Sequence, residues 1–165
     1  MSRIKGIVIV FNLLLLLGYF GWTIAAKEKT LKEGQLVLLE LAPVDPRSLM
    51  QGDYMQLNYK VNDITGLKYL QKRGYCIVRI DPQGVAQRIR FQKDLQPLKT
   101  GEQAIKYFSK GDLHFLQIQL GAGSYFFEEG KGKKFEAAKF GGLKIDAAGN
   151  SVLTALYDAD YKLIR

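Results

Sequence analysis

The stretch GIVIVFNLLLLLGYFGWTIAA, Gly6–Ala26, carries no charged side chain in 21 positions. A helix rises 1.5 Å per residue, so this segment reaches about 30 Å, the hydrocarbon thickness of a bilayer. Its most polar members are Asn12 and Thr23. Arg3 and Lys5 stand just before it, and Lys27, Glu28, Lys29, Lys32 and Glu33 just after. Tyr19 and Trp22 lie near the downstream end, where amphipathic rings favour the headgroup level. A cleaved signal peptide is the competing reading. It has a shorter apolar core, about 7–15 residues, with small residues at the cut. The best cut here, after Ala25 or Ala26, puts Thr23 or Ile24 at the third position back. A surface-packed helix of a soluble domain would show a polar stripe, and none is present. The expectation is a lipid-spanning anchor.

The anchor divides the chain into a cytoplasmic tail (1–5), a transmembrane segment (6–26) and a domain beyond the cytoplasm (27–165). The basic residues flanking the segment number two before and three after, so charge asymmetry alone does not fix its orientation. The short Met-Ser-Arg-Ile-Lys start favours an N-terminus that stays in the cytoplasm. Cys76 is the lone cysteine and has no internal disulfide partner. It follows Tyr75 in an apolar run, where a buried thiol is the default.

The chain's net charge of +8 falls to +6 once Arg3 and Lys5 are set aside. These charges are scattered. The densest patch, Lys131, Lys133 and Lys134, has no aromatic residues between its lysines for base stacking, so nucleic acid is not an expected partner. A positive face near anionic lipid headgroups suits the pattern better.

Residues 27–165 read mainly as strands. Leu36–Leu41 is a short apolar run, stopped by Pro43. In the next segment Met55, Leu57, Tyr59 and Val61 share one face, and Tyr54, Gln56, Asn58 and Lys60 the other. Tyr75–Ile80 and Val85–Phe91 flank Asp81-Pro82-Gln83-Gly84, a hairpin turn, with Arg79, Arg88 and Arg90 on its wet side. Leu116, Ile118 and Leu120 alternate with Gln117 and Gln119, and Gly121-Ala122-Gly123 interrupts them as a bend. Lys131–Phe140 is the helical candidate, one to two and a half turns long, with Phe135, Ala138 and Phe140 inward. A last hairpin joins Leu143–Ile145 to Val152–Tyr157. Asn62–Arg73 reads equally as short helix or loop. The fold class is therefore mainly β, an α+β chain in which a transmembrane helix precedes a small antiparallel barrel or sandwich carrying one short helix.

The chemistry is sparse. One histidine, His114, and one distant cysteine make neither a zinc site nor a Cys-His pair, and no metal or cofactor is expected. His114 shares a strand face with Leu116 and Ile118, as a structural histidine would. No glycine-rich turn opens a helix after a strand, so no phosphate cradle is expected.

One block stands out, Ala42–Tyr59, APVDPRSLMQGDYMQLNY. Two prolines stiffen the exit from the first strand, and Gly52 before the next suggests positive φ. Asp53 has the parity of Met55, so its carboxylate turns toward the core side and needs Arg47 or loop N–H groups as partners. Asp45, Arg47 and Asp53 can satisfy one another as a structural knot or line a site.

Gly52–Tyr59 reads GDYMQLNY and resembles the signature of the GDYXXLXY family of bacterial membrane-anchored proteins. The preceding Val44-Asp45-Pro46-Arg47 is similar to what leads into that signature. Tyr125–Glu136, YFFEEGKGKKFE, resembles the family's later Tyr-Phe-x-x-Glu-Gly segment. The resemblance implies a bacterial source, an uncleaved anchor and an extracytoplasmic domain. It further implies a partner among the polytopic membrane proteins encoded beside such proteins. Asp45, Arg47, Gly52, Asp53, Tyr54, Leu57, Tyr59, Tyr125, Glu129 and Gly130 are the candidate binding or structural residues.

A second resemblance supplies an enzymatic alternative. Ser48–Asp53 is similar to the serine-bearing stretch of type I signal peptidases, which pair a serine nucleophile with a neutral lysine. Burial can lower a lysine's pKa enough for that role. Leu49 stands where those enzymes have methionine, no proline follows, and Gly52-Asp53 comes early. Ser48 is the one nameable catalytic residue of that alternative. The Tyr125-Phe126-Phe127 run reads either as an exposed patch or as a core-threading segment with two rings buried and Glu129 capping the next helix. The leading expectation is a non-catalytic, single-pass inner-membrane module that meets the lipid bilayer and an integral-membrane partner.

Overall fold

The computed structural model describes residues 3–42, 54–64, 70–110, 117–128 and 130–164. Helix α1 runs Arg3–Glu33. None of its apolar window is buried against the rest of the chain. Its two polar side chains return to their own helix: Asn12 Nδ2 donates to the Val8 carbonyl at 3.1 Å and Thr23 Oγ1 to that of Phe20 at 2.9 Å. Nothing in the segment therefore opposes a lipid surround. Beyond Ala26 the helix continues for two more turns, laced by Lys29–Glu33 and Glu28–Lys32 pairs at i,i+4 spacing. It is the one described helix long and apolar enough to span a membrane or act as a signal.

Strand β1, Gln35–Glu40, starts one residue after α1 ends. Gly34 makes the junction, its N–H donating to the Thr30 carbonyl at 2.9 Å. A Cβ there would sit 2.4 Å from that same oxygen, so only glycine fits.

The remaining strands are β2 (Tyr54–Gln56), β3 (Arg73–Ile80), β4 (Ala86–Gln92), β5 (Glu102–Lys110), β6 (Gln117–Leu120), β7 (Ser124–Phe126), β8 (Phe140–Ile145) and β9 (Ser151–Tyr157). They form antiparallel sheets ordered β4-β3-β5-β6, β1-β8-β9 and β2-β7. The first two are stitched together at both ends. The Leu38 N–H donates to Gly84 at 2.9 Å and that of Lys106 to Gly149 at 2.8 Å. The result is a half-barrel, mainly antiparallel, with one short helix α2 at Gly132–Phe135.

One core fills it, built from Val37, Leu39, Cys76, Val78, Ile105, Leu120, Leu143, Ile145 and Leu156, all at most 2% exposed, with Leu57 and Tyr59 beside them. Each such aliphatic side chain contributes about 1.5–3 kcal/mol by leaving water. The paired glycines of β8 make room for two rings. A Cβ on Gly141 would lie 2.9 Å from the Tyr59 ring, and one on Gly142 2.5 Å from that of Tyr157.

The Leu36–Leu41 run, the Asp81–Gly84 hairpin, the alternation over Gln117–Leu120 and the closing hairpin all form as the pattern predicts, while Leu116 lies outside the described residues. Four expectations need correction. The segment Met55–Val61 is not one strand: β2 ends at Gln56, where the chain leaves β7, and Lys60–Asn62 is a 3-10 turn. Its facing still holds, with Met55, Leu57, Tyr59 and Val61 all buried. The helix within Lys131–Phe140 is one turn, Gly132–Phe135, the shortest the pattern allows, but Phe140 does not belong to it and opens β8 instead. Pairing wins there, because the N–H of Lys139 donates to Tyr157 and that of Leu41 to Lys139.

Arg88 does not lie with Arg90 on a wet face. A bulge places Arg90 opposite Ile77 and Arg88 opposite Val78, leaving Ile89 between them 41% exposed. Arg88 then donates to the carbonyls of Val61 and Asp63 and lies over the Phe91 ring, while Arg90 grips Glu102. The fourth correction is an omission. β5 pairs with both β3 and β6, although no strand is predicted over Glu102–Lys110.

Candidate functional site

The signature strand and the later aromatic block are partners. β2 and β7 pair with Tyr54 opposite Phe126, Met55 opposite Tyr125 and Gln56 opposite Ser124. Tyr54 packs its ring on Phe126 at 5.6 Å, and Tyr125 and Phe127 pack on Phe135 at 5.2 and 5.1 Å. Tyr125 and Phe127 thus turn toward the core, and Phe126 stands 73% exposed.

Past β2 the chain is handed from β7 to β1. The N–H of Leu57 donates to Gly123 at 2.9 Å, and that of Ala42 to Asn58 at 2.7 Å. Tyr59, 1% exposed, donates its hydroxyl to the Ala122 carbonyl at 3.0 Å. Burial holds its phenol well above the ordinary tyrosine range, so it stays neutral. Leu57 and Tyr59 therefore work as core pegs, and Tyr54 as the exposed-side contact of the signature. Gly130 has φ +81° with open space where a side chain would stand. Asp45, Arg47, Ser48, Gly52, Asp53, His114 and Glu129 lie outside the described residues. The N-cap of α2 is Lys131, which makes no side-chain cap bond and instead pairs with Glu128 at 2.5 Å.

Beside the signature lies a cleft of about 580 Å³. Leu57, Tyr59, Ile118 and Leu120 form its apolar floor and Gln56, Asn58, Asn62, Gln117 and Gln119 most of its polar margin, with Asp63 and Lys110 adding one charge of each sign. Asn62 Nδ2 donates to Asn58 Oδ1 at 3.4 Å, and its own Oδ1 is buried with no partner among the described residues. Neutral amides of this kind hydrogen-bond a polar chain or ligand without demanding a charge on it. Among the described residues no cluster of histidine, cysteine or carboxylate side chains is placed to hold a metal. Burial pushes the Cys76 thiol up to about 12, with Arg88 pulling weakly the other way, so it is no nucleophile at neutral pH. No described lysine is buried; Lys144, the one half-buried lysine, donates to the Gly34 carbonyl at 2.9 Å.

The amide margin was present in the sequence as the polar parity of two separate strands, Gln56 with Asn58 and Gln117 with Gln119. Alternation alone does not reveal that the two faces meet across one cleft.

An apolar helix running without a linker into a β half-barrel defines a helix-borne β-rich head. The family described as GDYXXLXY protein matches residues 16–156, and the chain belongs to this family, whose function is unknown. No curated protein and no solved structure matches the chain significantly.

Proposed function

We propose that the chain is a single-pass protein of a bacterial inner (cytoplasmic) membrane, held by α1 as an uncleaved anchor. Residues 27–165 stand outside the cytoplasm as an accessory module for an integral-membrane partner in the envelope. The observation that carries this reading is the continuity of α1 with the head. Thr30, four residues beyond the apolar segment, is 3% exposed; its hydroxyl donates to Asp146 Oδ2 at 2.9 Å and lies 3.2 Å from the Ala26 carbonyl. Cutting after Ala26 would strip the turn that supports this contact, so the fold favours an intact leader. The surface assigned to the partner is the signature strand with its amide-margined cleft, where neutral side chains can bond an extended backbone.

Two measurements test it. A phosphatase reporter that folds only outside the cytoplasm, fused to the C-terminus, is expected to be active; activity of a cytoplasm-only reporter instead overturns the topology. Crosslinking in native membranes is expected to give a discrete adduct with a polytopic membrane protein, weakened by Gln56→Ala with Gln117→Ala. A chain that migrates alone at every detergent strength overturns the partner.

A further inference from the structure

Phe126 is the most exposed large apolar side chain described outside α1, 73% against 44% for Tyr161, which comes next. Its position relative to the anchor is what gives it meaning. Phe126 walls a surface hollow together with Lys27, Gly121 and Leu153, and Lys27 is the first charged residue after the apolar segment. The point where α1 leaves the apolar segment and the tip of β7 therefore lie close together, across one hollow. Trp22 is five residues earlier, about 7.5 Å down the helix axis, within the same interfacial layer.

The apolar surface continues on the other side. Phe126 also walls a second hollow, with Phe127, Phe135, Ile164 and the Glu128–Lys131 ion pair. Lys133 and Lys134 are exposed on the adjoining α2, with Glu136 just beyond them and Lys131 held by Glu128. An exposed ring flanked by lysines, at the height of a membrane exit, matches the layered chemistry of an anionic bilayer surface: acyl boundary below, phosphates above. The absence of a linker between Glu33 and Gln35 keeps this edge from swinging away.

We propose that this edge of the β domain rests on the bilayer, with Phe126 inserted at the headgroup level and Lys133 and Lys134 facing anionic lipid phosphates. The inference rests on α1 spanning the membrane. It fixes the tilt of the head and turns Tyr54, packed at a tilt against Phe126, toward the same plane.

The test uses the full-length chain in vesicles of phosphatidylcholine and phosphatidylglycerol whose acyl chains carry bromine near the headgroup. Trp22 is the only native tryptophan. In the Trp22→Phe background, Phe126→Trp introduces one indole at the proposed contact. Because Phe126 is exposed, this exchange leaves the core untouched. Its emission is expected to shift blue and to fall roughly twofold on bromination, as an indole in the interfacial layer does. An unquenched, red-emitting indole overturns the proposal, provided Trp22 of the parent is quenched in the same vesicles. If Trp22 itself is unquenched, the anchor reading fails as well, so the two failures are told apart. Replacing Lys133 and Lys134 with glutamine is expected to reduce the quenching in phosphatidylglycerol vesicles. Equal quenching with and without them overturns the electrostatic half.

Discussion

The Thr30 hydroxyl donates to Asp146 Oδ2 at 2.9 Å, joining the last turns of α1 to the β8–β9 turn 116 residues away. That turn is itself tied to β5 through Gly149 and through Lys106 Nζ to Asn150 at 2.7 Å. One hydroxyl thus links the apolar helix to the two sheets of the half-barrel.

Thr30→Val keeps the shape of the side chain and removes that bond. Asp146 retains Asn150 and the Ala148 and Asn150 amides as donors. The loss is therefore expected near about 1 kcal/mol rather than the larger cost of an orphaned carboxylate. Urea unfolding of the full chain in detergent gives the size. Hydrogen exchange gives the place: the Gly34 amide, bonded to Thr30 O, should exchange faster. Unchanged exchange at Gly34 would mean that the helix is held by packing alone. Burial works against the charge on Asp146, but its bonds from Asn150, Thr30 and Ala148 hold the carboxyl below the usual range. The contact is accordingly present above the ordinary aspartate pKa of about 3.9 and lost as pH falls through the lowered folded value.

Tyr59 and Gly141 form a matched pair. Gly141→Ala puts a methyl 2.9 Å from the Tyr59 ring, and overpacking of this kind costs about 1–3 kcal/mol. Tyr59→Leu shortens the opposing side chain, so the double variant should lose less than the sum of the two singles. A double-mutant cycle measured by denaturant midpoint checks this; simple additivity would show that the strand relaxes away from the ring. Tyr59→Phe isolates the hydroxyl, and leaving the Ala122 carbonyl unpaired is expected to cost about 1 kcal/mol.

These residues show why the sequence was legible in some places and silent in others. The facing of Met55, Leu57, Tyr59 and Val61 follows from period-two alternation, which survives even where the strand breaks. The break itself depends on Leu57 finding Gly123 and Ala42 finding Asn58, long-range partners that no local pattern announces. β5 carried a signal, since Ile105, Tyr107 and Ser109 are buried between exposed Lys106, Phe108 and Lys110. Two lysines and a serine diluted its apolar character below that of an obvious strand. Of the candidate site, the sequence offered the signature and the Tyr125 block as separate features. Their pairing, and the cleft beside them, are products of topology.

Arg90 and Glu102 set an acid limit to stability. Arg90 Nη1 and Nη2 reach the two carboxylate oxygens at 2.7 and 2.8 Å, and the Lys99 amide adds a bond at 3.0 Å. The Glu102 side chain is 2% exposed, and the Arg90 bond leads in lowering its pKa to about 2. A folded value below the unfolded one means that the native state binds fewer protons. The stabilisation is therefore complete above about 4.3 and disappears as pH falls through about 2. Glu102→Gln should flatten the dependence of melting temperature on pH across that window. A variant with the same acid slope as the parent would place the titrating carboxylate elsewhere.

Cys76 should report the integrity of the half-barrel from its centre. It is 0% exposed on β3, between β4 and β5, and its thiol is raised to about 12 by burial. A maleimide needs both access and thiolate, so labelling of the native chain should proceed only through opening of the sheet. The labelling rate is expected to fall below that of the denatured chain by the full unfolding constant, and to rise in Gly141→Ala about tenfold for each ~1.4 kcal/mol of stability lost. The pH dependence has a definite sign. With the folded value above the ordinary thiol pKa of about 8.5, the contribution is complete below that pH and is lost as pH climbs toward about 12. Cys76→Ala should remove this part of the alkaline decline, while Tyr59, also raised by burial, retains its share above about 10. A Cys76 that reacts at the denatured rate in neutral buffer would mean that β3 is not the covered centre of the four-stranded sheet.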